Sequence, residues 1–115
     1  SKGKEITWQQ FEKEMLSRGA VEKIVLVNNE KAEIYIKKEF AGDSLFKKAM
    51  KPLWGTGIKP GPHFSFTIGS VESFEKKLGE EYLLCTSKTL RTLLPASSDW
   101  YHREQCQLYD HTTSF

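Results

Sequence analysis

The chain is short of cysteine, of long apolar runs and of net charge, and each shortage removes a class of function. Two cysteines in 115 residues, Cys85 and Cys106, make no disulfide framework and leave the redox compartment open. The longest apolar runs are only a few residues, such as "IVLV" at 24–27. Nothing in the chain therefore spans a bilayer, and nothing in it reads as a signal peptide. A net charge of +2 is too small to argue for nucleic acid as a partner. Basic and acidic residues also alternate, as in "EKKLGEE", which describes a solvated face. What remains is 38% hydrophobic and 28% charged residues, the balance of one globular domain. A chain of this length buries roughly 60–70% of its unfolded surface, enough for a core without staples.

The first element is a helix. In "EITWQQFEKEMLSRG", Thr7 is placed to cap it, and Gln10, three residues on, to complete a capping box. Ile6 and Phe11 fit a hydrophobic staple. Trp8, Phe11, Met15 and Leu16 mark one face, and Gly19 stands where a left-handed terminating residue belongs. In "VEKIVLVNNEKAEIYIKK", a β-branched run meets Asn28–Asn29, a pair that favours positive φ. Ala32, Ile34 and Ile36 then alternate with polar neighbours, which reads as a β-hairpin. Asp43 or Ser44 caps a short helix carrying Leu45, Phe46 and Met50, and Pro52 ends it. "GTGIKPGP" is a loop. Phe64, Phe66 and Ile68 alternate as a strand, Ser70 caps a helix with Val71, Phe74 and Leu78 on its apolar face, and Gly79 ends it. "EYLLCTS" reads as a last strand. In "SKTLRTLLP" the spacing of Leu90, Leu93 and Leu94 predicts a turn or two of helix. From Trp100 and Tyr101 to Leu108 and Tyr109 the sequence has no clean period: a short amphipathic helix or a loose segment.

The expected class is α+β: a small mixed or antiparallel sheet of three to four strands, covered by two helices on one face, with a loop-rich insert. The expected domain spans 4–86, followed by an unrecognised tail over 87–115 that is partly helical or disordered. The expected core is Phe11, Leu16, Ile24, Leu26, Ile34, Ile36, Phe66, Ile68, Phe74 and Leu78.

The chemistry-bearing patterns resolve mostly into structure. "FTIGSVESFEKKL" at 66–78 runs from strand through Gly-Ser into helix, as phosphate sites do. It has one glycine and no lysine in the turn, Ser70 is taken up by capping, and Glu72 would repel a phosphate. It reads as a capped joint. "GTG" at 55–57 has no strand-to-helix context. "HREQC" at 102–106 has Cys where a zinc-protease helix needs its second His. Adding Cys85 and His111 gives a four-ligand set whose spacing matches no standard finger. His63 falls on the polar face of its strand and reads as solvated; Glu80 and Glu81 sit among basic residues. No residue is assigned a catalytic, cofactor-binding or metal-binding role. The insert is the exception to this blandness. Its loop offers Trp54 and Ile58 in a frame of Gly and Pro, flanked by Lys51 and Lys59, and these four form the candidate contact surface. Trp54 reads first as an anchor folded onto the core and second as an exposed contact residue.

The segments "ITWQQF", the step at 19–24 "GAVEKI", "LVNNEK" and "FTIGSVESFE" together resemble the extramembrane domain of FtsH-type ATP-dependent zinc metalloproteases, bacterial and mitochondrial m-AAA alike. The resemblance covers 4–78, roughly two thirds of the chain, and the motifs are distinctive together rather than singly. The insert "SLFKKAMKPLWGTGIKPGPH" is similar to the FtsH proteins of Bacteroidetes-like bacteria more than to the mitochondrial ones. Residues 79–115 depart from the family, where a longer second helix and a strand lead to a second transmembrane helix. The resemblance implies a domain held between two transmembrane helices, on the periplasmic face of the bacterial inner membrane, or alternatively in the mitochondrial intermembrane space. It implies a hexameric parent protease that uses ATP and zinc in membrane-protein quality control, with both sets of catalytic motifs outside this chain. This piece would then be non-catalytic and serve assembly, substrate access or regulator binding. Its partners would be neighbouring subunits, membrane-protein substrates and regulatory membrane proteins. The alternatives are a free-standing small α+β binding or adaptor domain and a small zinc-binding domain.

Overall fold

Two consecutive asparagines decide the first long-range pairing. Asn28 and Asn29 adopt φ of 53° and 56°, the left-handed pair that a tight hairpin turn demands, and the Glu30 N–H donates to the Val27 C=O at 3.1 Å. The turn joins β2 (Val21–Val27) to β3 (Lys31–Ile36), as the sequence predicts. In the computed structural model, which describes residues 3–86 and 91–97, the strands form one sheet of six. The others are β1 (Lys4–Glu5), β4 (Phe64–Thr67), β5 (Tyr82–Thr86) and β6 (Arg91–Pro95), in the order β1-β4-β3-β2-β6-β5. The helices are short: α1 (Trp8–Phe11), α2 (Lys47–Met50) and α3 (Val71–Leu78). The class is α+β, but the expected three to four strands become six. The reason is that neither β1 nor β6 has a strong pattern of its own: β1 takes its place beside β4, far along the chain, and β6 between the adjacent β5 and the distant β2. Contacts divide the chain into two units, Ser1–Glu22 with Glu33–Phe66, and Lys23–Ala32 with Thr67–Phe115.

In the first unit β1 runs parallel to β4, with Lys4 opposite Phe64 and Glu5 opposite Ser65. The N–H groups of Lys4 and Ile6 donate to the C=O groups of His63 and Ser65, at 3.1 and 2.9 Å. Thr7 caps α1, its Oγ1 accepting from the Gln10 N–H at 3.1 Å. The reciprocal half of the capping box does not form: the Gln10 side chain reaches forward to Glu14 Oε1 at 3.3 Å instead. The helix continues as a π-turn over Glu12–Leu16, where the Ser17 N–H donates to the Glu12 C=O. The wider turn keeps Met15 on the buried side below Phe11 and leaves Leu16 half-buried, so Met15 takes the core place expected of Leu16. Gly19, at φ 67°, closes the helix with a paired signature: its N–H donates to the Leu16 C=O and that of Ala20 to the Met15 C=O. Trp8, Phe11 and Phe66 form an aromatic cluster with centroids 5.0–6.1 Å apart. Ile34, Ile36, Phe46, Met50 and Phe64 are also buried.

In the second unit β6 lies between β2 and β5, antiparallel to both, with Leu93 opposite Ile24 and Leu84. This corrects the helix expected over "SKTLRTLLP": residues 91–95 are strand, and Leu90 lies outside the described residues. Two open strand edges to pair with outweigh a weak three-leucine spacing. Ser70 caps α3 by accepting from the Ser73 N–H at 3.1 Å, Phe74 and Leu78 point into the core, and Gly79 ends the helix at φ 72°. Ile24, Leu26, Ile68, Phe74 and Leu78 are buried as expected, joined by Leu93 and Leu94. Among the described residues no helix is long and apolar enough to cross a membrane.

Candidate contact surface on the insert

The insert between β3 and β4 begins with a polar lock. Asp43 turns the chain, accepting from the Leu45 N–H on its side chain at 2.9 Å and from the Phe46 and Lys47 N–H groups on its C=O. Its carboxylate meets the Arg18 guanidinium through both oxygens, and that guanidinium lies over the rings of Phe40 and Phe46, 5.7 and 5.4 Å from their centroids. The hydrogen bond from Arg18 and then that from the Leu45 backbone lower the Asp43 pKa. The sequence expectation that Asp43 starts a short helix holds in part. It shapes the turn, and α2 begins at Lys47 with Phe46 and Met50 buried.

Beyond α2 the chain makes a closed excursion. The Lys59 N–H donates to the Met50 C=O at 2.8 Å, so residues 51–58 leave and return through one point. The Lys59 C=O is held in turn by His63, whose Nε2 lies 2.8 Å away. The other ring nitrogen, Nδ1, accepts from the Ile36 N–H at 3.0 Å. Acceptance at Nδ1 requires a bare nitrogen there, so the proton sits on Nε2 and donates to Lys59. His63 is only 5% exposed, which corrects its reading as a solvated residue. The alternation of β4 places it on the face away from Phe64 and Phe66; that face is buried at His63 and Ser65 and exposed only further along, at Thr67. The Tyr35 ring packs edge-on at 6.4 Å from His63, and burial, more than the nearby Glu33 and Glu22, raises the Tyr35 pKa. Gly61 completes this base: a Cβ there would stand 2.6 Å from the Tyr35 ring.

The tip carries what the base holds out. Trp54 is 87% exposed and Leu53 88%, which corrects the reading of Trp54 as an anchor folded onto the core. The Lys59 N–H closes the loop's return, and Gly55 and Gly57, at φ 70° and 103°, take left-handed conformations that glycine permits just beyond the indole. Ile58 is 40% exposed, Lys51 is exposed and Lys59 half-buried, so the four residues singled out from sequence share one loop. Sequence reasoning missed Leu53, the neighbour of Trp54, and the clamp through His63. A shallow hollow beside the tip is lined by Lys47, Lys48 and Lys51 with Met50 and Pro52.

Of the four residues of the metal reading, only Cys85 is among the described ones. Cys85 is buried and disulfide-bonded, not an open thiolate, and His102, Cys106 and His111 lie outside the described residues. Among the described residues no group of His, Cys, Asp and Glu is arranged to hold a metal ion.

Known proteins supply the context. No family model matches the chain, and no solved structure matches it. It is 34% identical over 83 residues to the rice ATP-dependent zinc metalloprotease FTSH 8, mitochondrial, an alignment covering 67% of this chain and 10% of that protein. It is 33% identical over 81 residues to the Arabidopsis thaliana ATP-dependent zinc metalloprotease FTSH 10, mitochondrial, covering 66% of this chain and 10% of that protein. It is 32% identical over 74 residues to the mitochondrial inner membrane m-AAA protease component yta12 of Schizosaccharomyces pombe, covering 64% of this chain and 7% of that protein. The chain thus spans a tenth or less of the length of the curated relatives it matches. These relatives are mitochondrial by name and come from plants and a fission yeast, so they lend no support to the Bacteroidetes-like reading of the insert. Over about two thirds of its length, this chain is related to the FtsH and m-AAA family of ATP-dependent zinc metalloproteases.

Proposed function

We propose that this chain is a non-catalytic extramembrane domain of a membrane-anchored, hexameric ATP-dependent zinc protease engaged in membrane-protein quality control. The observation that carries the reading is the relationship to proteins named ATP-dependent zinc metalloproteases, over a stretch with neither a P-loop nor an H-E-x-x-H sequence. ATP and zinc would be used by other parts of the parent. This part would serve assembly with neighbouring subunits, admission of membrane-protein substrates or contact with regulatory membrane proteins. The names of the relatives favour the mitochondrial inner membrane, and we assign the domain to its intermembrane-space side.

A domain exchange tests this. The aligned segment of the S. pombe m-AAA component is replaced by this chain, and assembly and substrate turnover are compared with a deletion of the same segment. The exchange is expected to restore complex assembly that the deletion loses. A chimera no better than the deletion would sink the reading.

A further inference from the structure

The large exposed hydrophobic side chains of the described residues, Leu45, Leu53, Trp54 and Ile58, all lie in the insert. The insert is also where the charge concentrates. Residues 44–63 hold Lys47, Lys48, Lys51 and Lys59 and no acidic residue, so the rest of a chain of net charge +2 is net negative. Lys47, Lys48 and Lys51 line one hollow beside the Leu53–Trp54 tip, while the nearby carboxylate of Asp43 is committed to Arg18. The base is fixed through Lys59 and His63, while the Leu53 and Trp54 side chains of the tip stand in solvent.

We propose that this loop docks on an anionic phospholipid bilayer, with Leu53 and Trp54 inserting at the interface and Lys47, Lys48 and Lys51 pairing with headgroup phosphates. Size separates this from protein docking. One aromatic side chain buries about 150–250 Å², so the Leu-Trp tip offers well under the roughly 800 Å² per partner of a stable protein interface. A bilayer needs no such area: it takes an indole at headgroup depth, an aliphatic chain below it and lysines around the rim. The inference goes beyond the family reading, because it rests on the loop's own exposure and charge.

The test uses the 115-residue chain and vesicle flotation. The chain is expected to float with vesicles of phosphatidylcholine containing phosphatidylglycerol, to stay behind with phosphatidylcholine alone, and to detach as salt rises. Leu53→Ser with Trp54→Ser is expected to abolish flotation without changing the melting temperature. Lys→Gln at 47, 48 and 51 is expected to weaken binding about fivefold per lysine. Should the tip variant alter folding, the lysine series decides alone. Absence of binding to anionic vesicles at low salt, or binding indifferent to the lysine series, would overturn the proposal. So would self-association of the chain that the tip variant abolishes, which would make the loop a protein-docking surface instead.

Discussion

At the residue scale, His63 and Trp54 make opposite predictions from one loop. His63 is buried with both nitrogens engaged, so His63→Ala strands the buried Ile36 N–H and frees the Lys59 carbonyl. An unsatisfied buried donor costs about 1–3 kcal/mol, and urea unfolding should show a loss of that order. Trp54→Ala removes a side chain already in solvent, and the melting temperature should not move. A Trp54→Ala loss as large as that of His63→Ala would place the indole in the core after all. Neither role was legible in the sequence. Alternation assigns position 63 to a polar face, and only the hydrogen bonds to Ile36 and Lys59, remote in sequence or set by the loop, show that the ring is buried there. For Trp54 the composition of the loop argued for a contact surface, but its direction depends on where Lys59 returns to Met50, a hydrogen bond that no local pattern encodes.

At the element scale, local chemistry was readable and pairing was not. The Asn-Asn turn, the Thr7 and Ser70 caps and the terminal Gly19 each depend on residues within a few positions, and each forms as the sequence predicts. Strand β6 depends on β2 and β5, and its sequence gave no sign of either. Helix α3 joins both kinds of information, since its spacing predicts the buried Phe74 and the structure places it 2% exposed. Phe74→Ala should therefore cost about 3–5 kcal/mol; a loss below about 1 kcal/mol in denaturant titration would contradict the packing. The lock at the start of the insert predicts a pH dependence. The Asp43 pKa is lowered in the folded chain, mainly by the hydrogen bond from Arg18, so its contribution is full above the ordinary carboxylate range and is lost as pH falls through the lowered value. Thermal unfolding of the parent chain and of Arg18→Gln should differ near neutral pH, and the difference should shrink below about pH 4. It should not vanish, because the guanidinium also stacks on Phe40 and Phe46. A difference that is constant with pH would contradict the Asp43 assignment. On the alkaline side, burial and then Glu81 push the Tyr82 pKa up to about 12. Stability held below the ordinary tyrosine value should fall as pH climbs through that range.

At the scale of the whole molecule, the proposed function divides the work between this chain and a larger parent, and it rests on the relationship to ATP-dependent zinc proteases. The chain supplies an α+β sheet and one loop, closed at its base, that carries an apolar tip among lysines. Both proposals require this domain to live against a membrane without crossing it. The most direct measurement is protease protection in mitochondria of cells that make the protein, read with an antibody raised against this chain. The account predicts an epitope on a polypeptide that resists alkaline extraction from the membrane. That epitope should be protected in intact mitochondria and digested once the outer membrane alone is opened. An epitope extracted as a soluble protein, or digested only after the inner membrane is dissolved, would contradict it.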